Sequence, residues 1–167
     1  MTLKGAAAAA RLARENGLAF AGMEIASGSG ELVLWADGTR VDDEEQAPDT
    51  GLPELDAVLS GSRAIVVRPG CRRYEIRFTS VVMHAHYDEG LHVPEDHEDF
   101  STPLRRYTDS RFLRFLKDET LADKLLDEPL LHYRIAMLND IIDVAATTPP
   151  DVLSRVLTVS DLWMMDD

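Results

Sequence analysis

The sequence predicts an α+β fold: a single domain over residues 1–167, with a mainly antiparallel sheet and helices at its ends or on one face. Three observations predict it. Short apolar runs of β-type residues are separated by Gly, Pro and Asp turn signals. Helical segments do not alternate with strands as regularly as a parallel doubly wound sheet requires. A chain of 167 residues, 45% of them hydrophobic, can bury one core without the help of disulfides or metal ions.

The first elements are a helix and a hairpin. Residues 2–16 are rich in alanine, the best helix former, and Gly17 is a suitable left-handed stop, which predicts a helix that could be only loosely attached. Leu18–Ala26 and Glu31–Ala36 are apolar runs separated by Ser27-Gly28-Ser29-Gly30, a pattern typical of a β-hairpin.

The next segment, residues 41–68, begins with a stretch of acidic residues. Residues 41–51 contain Pro48 and many carboxylates, which predicts an acidic loop. Pro53–Ser60 then predicts a short helix, because proline is favoured in a first turn. Arg63–Arg68 predicts a strand, which the turn signal Pro69-Gly70 ends.

The longest predicted strand is Arg72–Tyr87. Alternate side chains from Tyr74 to His86 would share one face, and the alternation changes sense after Ser80, which indicates a bulge or a change of burial. A second acidic loop is predicted over residues 88–103.

The last third of the chain is predicted to contain a helix followed by a pair of strands. Tyr107–Asp127 has a helical apolar face and a cap at Ser110 or one of the two residues before it. Leu131–Ala146 fits either a helix or a strand pair turned at Asn139-Asp140, and we favour the strand pair.

The chain is expected to close with another helix. Asp151–Val159 follows the breaker Pro149-Pro150, and we predict a helix over it. The tail Leu162–Asp167 is expected either to dock through Trp163 or to hang free.

Composition points to a soluble protein of a reducing compartment. The single cysteine, Cys71, cannot form an internal disulfide, and no apolar run approaches the ~20 residues of a membrane span. We therefore expect a cytoplasmic protein without a membrane partner.

Charge gives the clearest functional signal. The chain has 30 acidic residues against 17 Lys and Arg, a formal charge of -13 that repels nucleic acid and favours basic partners. These observations predict a non-catalytic protein-binding module, most concretely an immunity or inhibitor protein that recognises a basic protein partner, with the oligomeric state left open. The residues expected to bind the partner lie in the two acidic loops: Asp42, Asp43, Glu44, Glu45, Glu95, Asp96, Glu98 and Asp99.

A histidine cluster supports an alternative function. Two imidazoles at i and i+2 of a strand share a face, and with a nearby carboxylate they can ligate zinc or iron. The alternative is therefore a metal-dependent enzyme with zinc or iron as its cofactor. The binding module, by contrast, is expected to need no cofactor. The candidate metal ligands are His84, His86, Asp88, Glu89 and His92.

Part of the chain also resembles a group of small bacterial proteins of uncharacterised function. The resemblance covers Tyr74–Val144. It is carried by Tyr74-x-Ile76-x-Phe78-x-x-Val81-Val82, Ser110-Arg111-Phe112-Leu113-Arg114-Phe115-Leu116, His132-Tyr133-x-Ile135 and Ile141-Ile142-Asp143-Val144. It implies no catalytic residue, but it implies that His132 and Asp143 belong to a structural pattern.

Overall fold

The structure is a computed structural model that describes residues 1–26, 28, 30–45 and 49–162. The strands in this part of the chain are β1 (Leu3–Lys4), β2 (Leu18–Ala26), β3 (Glu31–Gly38), β4 (Arg40–Glu45), β5 (Arg63–Val66), β6 (Arg72–Phe78), β7 (Val81–Asp88), β8 (Leu104–Tyr107), β9 (Leu131–Ala136), β10 (Asp140–Ala146) and β11 (Asp151–Val156). The helices are α1 (Ala6–Leu12), α2 (Pro53–Leu59), α3 (Arg111–Glu119), α4 (Ala122–Leu125) and α5 (Val159–Leu162).

Two antiparallel sheets form the body of the molecule. The first has the order β1-β11-β6-β3-β2, and the second has the order β7-β10-β9-β8. Their inner faces share one core, in which Tyr74 and Ile76 of the first sheet join Ile142 and Val144 of the second. This arrangement confirms the predicted α+β class, because α3 lies on the outer face of the second sheet, where Phe112 packs 5.1 Å from the ring of a β9 histidine.

The single strand predicted over Arg72–Tyr87 is wrong. It is two strands, β6 and β7, which belong to different sheets and meet at a bend over Thr79 and Ser80. The Ser80 hydroxyl accepts hydrogen bonds from the backbone N–H groups of Thr147 (3.2 Å) and Thr148 (3.0 Å), which holds the bend. The change of burial predicted after Ser80 therefore marks the point where the chain crosses between layers.

The closing helix predicted over Asp151–Val159 is also wrong. Most of it is β11, which lies between β1 and β6. Val152 and Ser154 are buried while their neighbours are more exposed, so the segment has the two-residue period of a strand. Pairing on both sides overrides its weak helical preference. The predicted docking of Trp163 falls on residues outside those described.

The N-terminal helix is shorter than predicted and is not loose. Leu3 and Lys4 pair with β11, and the helix begins after Gly5, whose φ of 56° favours glycine. Ala8 and Leu12 are fully or almost fully buried in the core. The short strand thus removes a turn from the predicted helix and fixes its start to the first sheet.

Most of the other predictions are confirmed with changed bounds. The hairpin forms as β2 and β3, and the ambiguous segment 131–146 forms the favoured strand pair, β9 and β10. The prediction of one helix over Tyr107–Asp127 is wrong in part, because Tyr107 ends β8 and the rest divides into α3, which Ser110 caps, and the short α4. In the described residues, no helix is long and apolar enough to cross a membrane.

The described residues of the segment 40–66, which are 40–45 and 49–66, include β4, α2 and β5, and we call this segment the arm. The acidic loop predicted over 41–51 is wrong for its first five residues, because they belong to β4 and pair with β5 in a separate two-stranded sheet. Val41 lies opposite Ile65, and Glu45 lies opposite Arg63. The apolar pair of Val41 and Ile65 favours this strand pairing.

Candidate functional site

The outer face of the second sheet carries a polar network that the sequence did not predict. Along β9, Tyr133 and Ile135 face the core, so His132 and Arg134 face outward. On β10, Asp143 lies directly opposite Arg134. These polar side chains are nevertheless buried, because α3 and the loop that follows β7 cover them.

Arg134 is the centre of this network. Its Nε and Nη2 atoms donate to the two carboxylate oxygens of Asp143 at 2.7 and 2.9 Å, and its Nη1 donates to Glu98 at 2.8 Å. Glu98 also accepts from Arg105 at 3.1 Å and lies 2.9 Å from His92 Nε2. Each buried charge thus has an opposite charge within hydrogen-bond distance, as burial requires.

The pKa values of the two carboxyls follow from these contacts. Burial alone would raise the pKa of Glu98, but hydrogen bonds from Arg134, from His92 and from the N–H of Glu95 lower it to about 2. Burial likewise opposes the ionised form of Asp143, and hydrogen bonds with His132 and Arg134 lower its pKa to about 2. Both carboxylates are therefore ionised at neutral pH. Glu98 holds the covering loop to Arg134, and Asp143 holds Arg134 and His132 in position.

Ser110, His132 and Asp143 form a chain that resembles the order of a catalytic triad. Ser110 Oγ lies 2.9 Å from His132 Nδ1, and His132 Nε2 lies 2.9 Å from Asp143 Oδ1. Ser110 and His132 are 1% and 0% exposed, and the rings of Phe112 and Tyr107 lie 5.1 and 5.2 Å from the imidazole.

Ser110 has a structural role in this chain. Its hydroxyl accepts the N–H of Leu113 at 3.1 Å, which makes it the N-cap of α3. A triad acts only where substrate reaches the nucleophile, and this serine is closed off. The arrangement therefore anchors α3 to the sheet.

A cavity of about 390 Å³ opens above the network. Its walls include Leu91, Val93 and Phe112, and Arg134 and Asp143 lie at its polar floor. These two polar groups are bonded to each other, so the floor presents no unsatisfied donor or acceptor pair to a ligand. The cavity gives no sign of the chemistry of an occupant.

Two of the acids predicted to bind a partner are used inside this region. The Glu98 side chain is 1% exposed, so the expectation that it faces solvent is wrong. Glu95 accepts the backbone N–H of Arg111 at 3.0 Å and pairs with Arg114 at 3.1 Å. Asp96, by contrast, is exposed, as is Asp99.

The predicted metal ligands are divided between two faces of β7. His84 and His86 share a face, as predicted, and it is the core-facing side, since they lie opposite Val144 and Ile142. His92 lies on the other side, where its Nδ1 is 3.2 Å from the hydroxyl of Tyr87.

The remaining contacts of these candidate ligands are local. His86 Nε2 is 2.7 Å from Asp140 Oδ1, and Asp88 accepts the N–H of Gly90 at 2.7 Å. Glu89 begins a 3₁₀ turn beside them. Among the residues that the structure describes, no group of three or more His, Cys, Asp or Glu side chains is arranged to hold a metal ion. The metal alternative stays a prediction.

On the arm, the acids face solvent with one exception. Asp42 is buried and pairs with Arg68 at the base, so the expectation that it is exposed is wrong. Asp43, Glu44 and Glu45 are exposed, and in the described part of the chain none of the three forms an ion pair. The arm contains seven acidic residues and two arginines, so its negative charge is largely uncompensated.

Gly17 lies between the residue before the arm and the end of the second acidic loop. The N–H of Thr39, just before the arm, donates to the carbonyl of Gly17 at 3.0 Å. Gly17 and Leu18 line a cavity of about 370 Å³ together with Phe100. Asp99, next to Phe100, is exposed beside this cavity.

Sequence reasoning missed the network because its members come from separate segments. The one available signal was the resemblance, which implied that His132 and Asp143 belong to a structural pattern. The hydrogen bonds of both residues agree with that expectation.

Comparisons with protein-family models, curated proteins and solved structures found no match to this chain, so the resemblance to uncharacterised bacterial proteins stays a prediction.

Proposed function

We propose that this protein is a cytoplasmic, non-catalytic binding module that recognises a basic protein partner, as an immunity or inhibitor protein does. The observation that carries the proposal is the arm, in which exposed acids far outnumber the bases. The surface consists of Asp43, Glu44 and Glu45, with Asp96 and Asp99 as further contacts. Asp42, Glu95 and Glu98 are left out because they are used internally.

Electrostatics explains what such a surface does. A concentrated negative field steers a cationic protein toward it and speeds association, and like charge repels acidic competitors. At 0.1 M salt, ions screen interactions between exposed charges that are more than about 10 Å apart, so binding should weaken as salt is added. Recognition by the arm is thus expected to depend on salt.

A matched pair of variants tests the proposal. The arm variant is Asp43→Asn/Glu44→Gln/Glu45→Gln. The control, Asp118→Asn/Glu119→Gln/Asp123→Asn, changes the net charge equally at exposed acids in and beside α3 and α4. Each immobilised protein is exposed to a lysate of the native host at low and high salt, and the retained proteins are identified by mass spectrometry.

The proposal expects one basic protein that the wild type and the control retain, that salt releases and that the arm variant does not retain. Retention of no basic protein, or equal loss of binding by both variants, would refute it.

The alternative of a metal-dependent enzyme has its own test. Zinc or iron bound in stoichiometric amount to the purified protein, and lost in His84→Ala/His86→Ala, would favour it over the binding module. Elemental analysis makes this measurement directly.

A further inference from the structure

The arm exposes apolar side chains as well as acids. In α2 no residue is buried, and Leu52, Leu55 and Val58 are 61%, 42% and 79% exposed. On the two strands, the paired residues Val41 and Ile65 are 59% and 53% exposed. Single exposed apolar residues are normal in proteins, but Leu52, Leu55 and Val58 line one cavity together, and such a patch is of the kind that marks an interaction surface.

The apolar residues of α2 have helical spacing. Leu55 and Val58 lie three residues apart on α2, and Leu52 is its N-cap residue, three before Leu55, so the three side chains follow one side of the helix as a stripe. A cavity of about 720 Å³ is lined by Leu52, Pro53, Leu55 and Val58, and also by Glu54. An amphipathic helix normally turns such a stripe toward a core, and this one faces solvent.

The negative charge of the arm limits which partner could cover the apolar side of α2. A second copy of the chain would bring two arms with the same excess of acid together, and an anionic membrane would be repelled for the same reason. The occupant that suits both features has apolar side chains for the stripe and Lys or Arg for the acids beside it. Glu54 lies within the cavity lining, and Asp56 is one turn from Leu52.

We propose, on the basis of the proposed function, that the partner presents a basic amphipathic helix whose apolar side packs across Leu52, Leu55 and Val58. Rows of side chains on one helix fit the grooves of another, and apolar anchors at helical spacing are the mark of helix recognition. A partner strand would instead pair with the edge of β4 or β5 and would not need this stripe.

Two synthetic peptides of identical leucine and lysine content test the inference. One peptide has the leucines at helical spacing, and the other alternates leucine and lysine as a strand does. Binding to the full chain is followed by fluorescence anisotropy of the labelled peptide. The stripe variant is Leu55→Ser/Val58→Ser, and the control is Leu91→Ser/Leu125→Ser, which changes side chains that are 77% and 75% exposed elsewhere.

The inference expects the helical peptide to bind more tightly than the alternating one, and the stripe variant to bind it about tenfold more weakly. The control should bind as the wild type does. Thermal unfolding of both variants shows that they remain folded.

Two results overturn the inference in different ways. If the arm variant with neutralised acids loses binding but the stripe variant does not, the helix inference fails and the proposed function stands. If neither variant affects binding, both the inference and the surface on which it rests fail.

Discussion

The arm and the loop after β7 are both rich in acidic residues, but their carboxylates have different surroundings. In the loop, Glu95 and Glu98 are nearly buried and paired with arginines. In the arm, Asp43, Glu44 and Glu45 are exposed and form no ion pair in the described part of the chain. The same signal in the sequence therefore has two meanings: one group of carboxylates stabilises the fold, and the other faces solvent.

The location of the arginines accounts for the difference. Residues 88–99 contain no Lys or Arg, so the loop alone appears as uncompensated as the arm. Its counter-charges come from Arg105, Arg114 and Arg134, which follow it in the chain and approach it only in the folded protein. Counting charge along the sequence cannot distinguish the two cases, because ion pairs between distant segments depend on the fold.

The largest effect is expected from Arg134→Met. It leaves Asp143 and Glu98 buried without their main counter-charge, and loss of one partner of a buried pair costs about 3–5 kcal/mol. Denaturant unfolding measures the change in the free energy of unfolding. The control Arg106→Met alters an exposed arginine on β8 and should stay within about 0.5 kcal/mol. Equal effects of the two substitutions would contradict the internal role of the loop acids.

Acidic pH, but not neutral pH, should weaken the contacts that hold the loop. The pKa values of Glu98 and Asp143 are lowered to about 2 from ordinary values of 4.5 and 3.8. A carboxyl whose pKa is lowered by folding stabilises the protein above its ordinary pKa, and that stabilisation is lost as pH falls toward the folded value.

The free energy of unfolding should therefore decrease between about pH 4.5 and 2. Measurements at constant ionic strength should show a shallower decrease in Glu98→Gln, which lacks one of the two titrating groups. An unchanged slope in that variant would show that Glu98 does not stabilise the fold.

A smaller effect is expected at the anchor of α3. Ser110→Ala removes the helix cap and the contact with His132, so it should cost about 1–2 kcal/mol. Thr108→Ala, two residues before it and exposed, is the control and should have little effect. If Ser110→Ala were as stable as the control, the buried chain of hydrogen bonds would not anchor the helix.

The sequence predicted local structure better than the relation between segments. The hairpin, α2 and the β9–β10 pair were predicted because turn residues and periodicity are local signals. The crossing at Ser80 and the strand β11 were missed because they depend on which sheet receives each segment. The candidate site shows the same limit: Asp43, Glu44 and Glu45 are exposed as expected, but the burial of Asp42 and Glu98 was not predicted.

The most direct test compares one acid from each region. Glu98→Gln and Glu44→Gln remove the same charge by the same chemical change, and their free energies of unfolding are measured in one buffer. We predict that Glu98→Gln loses about 3 kcal/mol, because it leaves Arg134 partly unpaired in a buried site, and that Glu44→Gln changes by less than about 0.5 kcal/mol. Similar losses in both variants would contradict the division between acids that stabilise the fold and acids that face solvent.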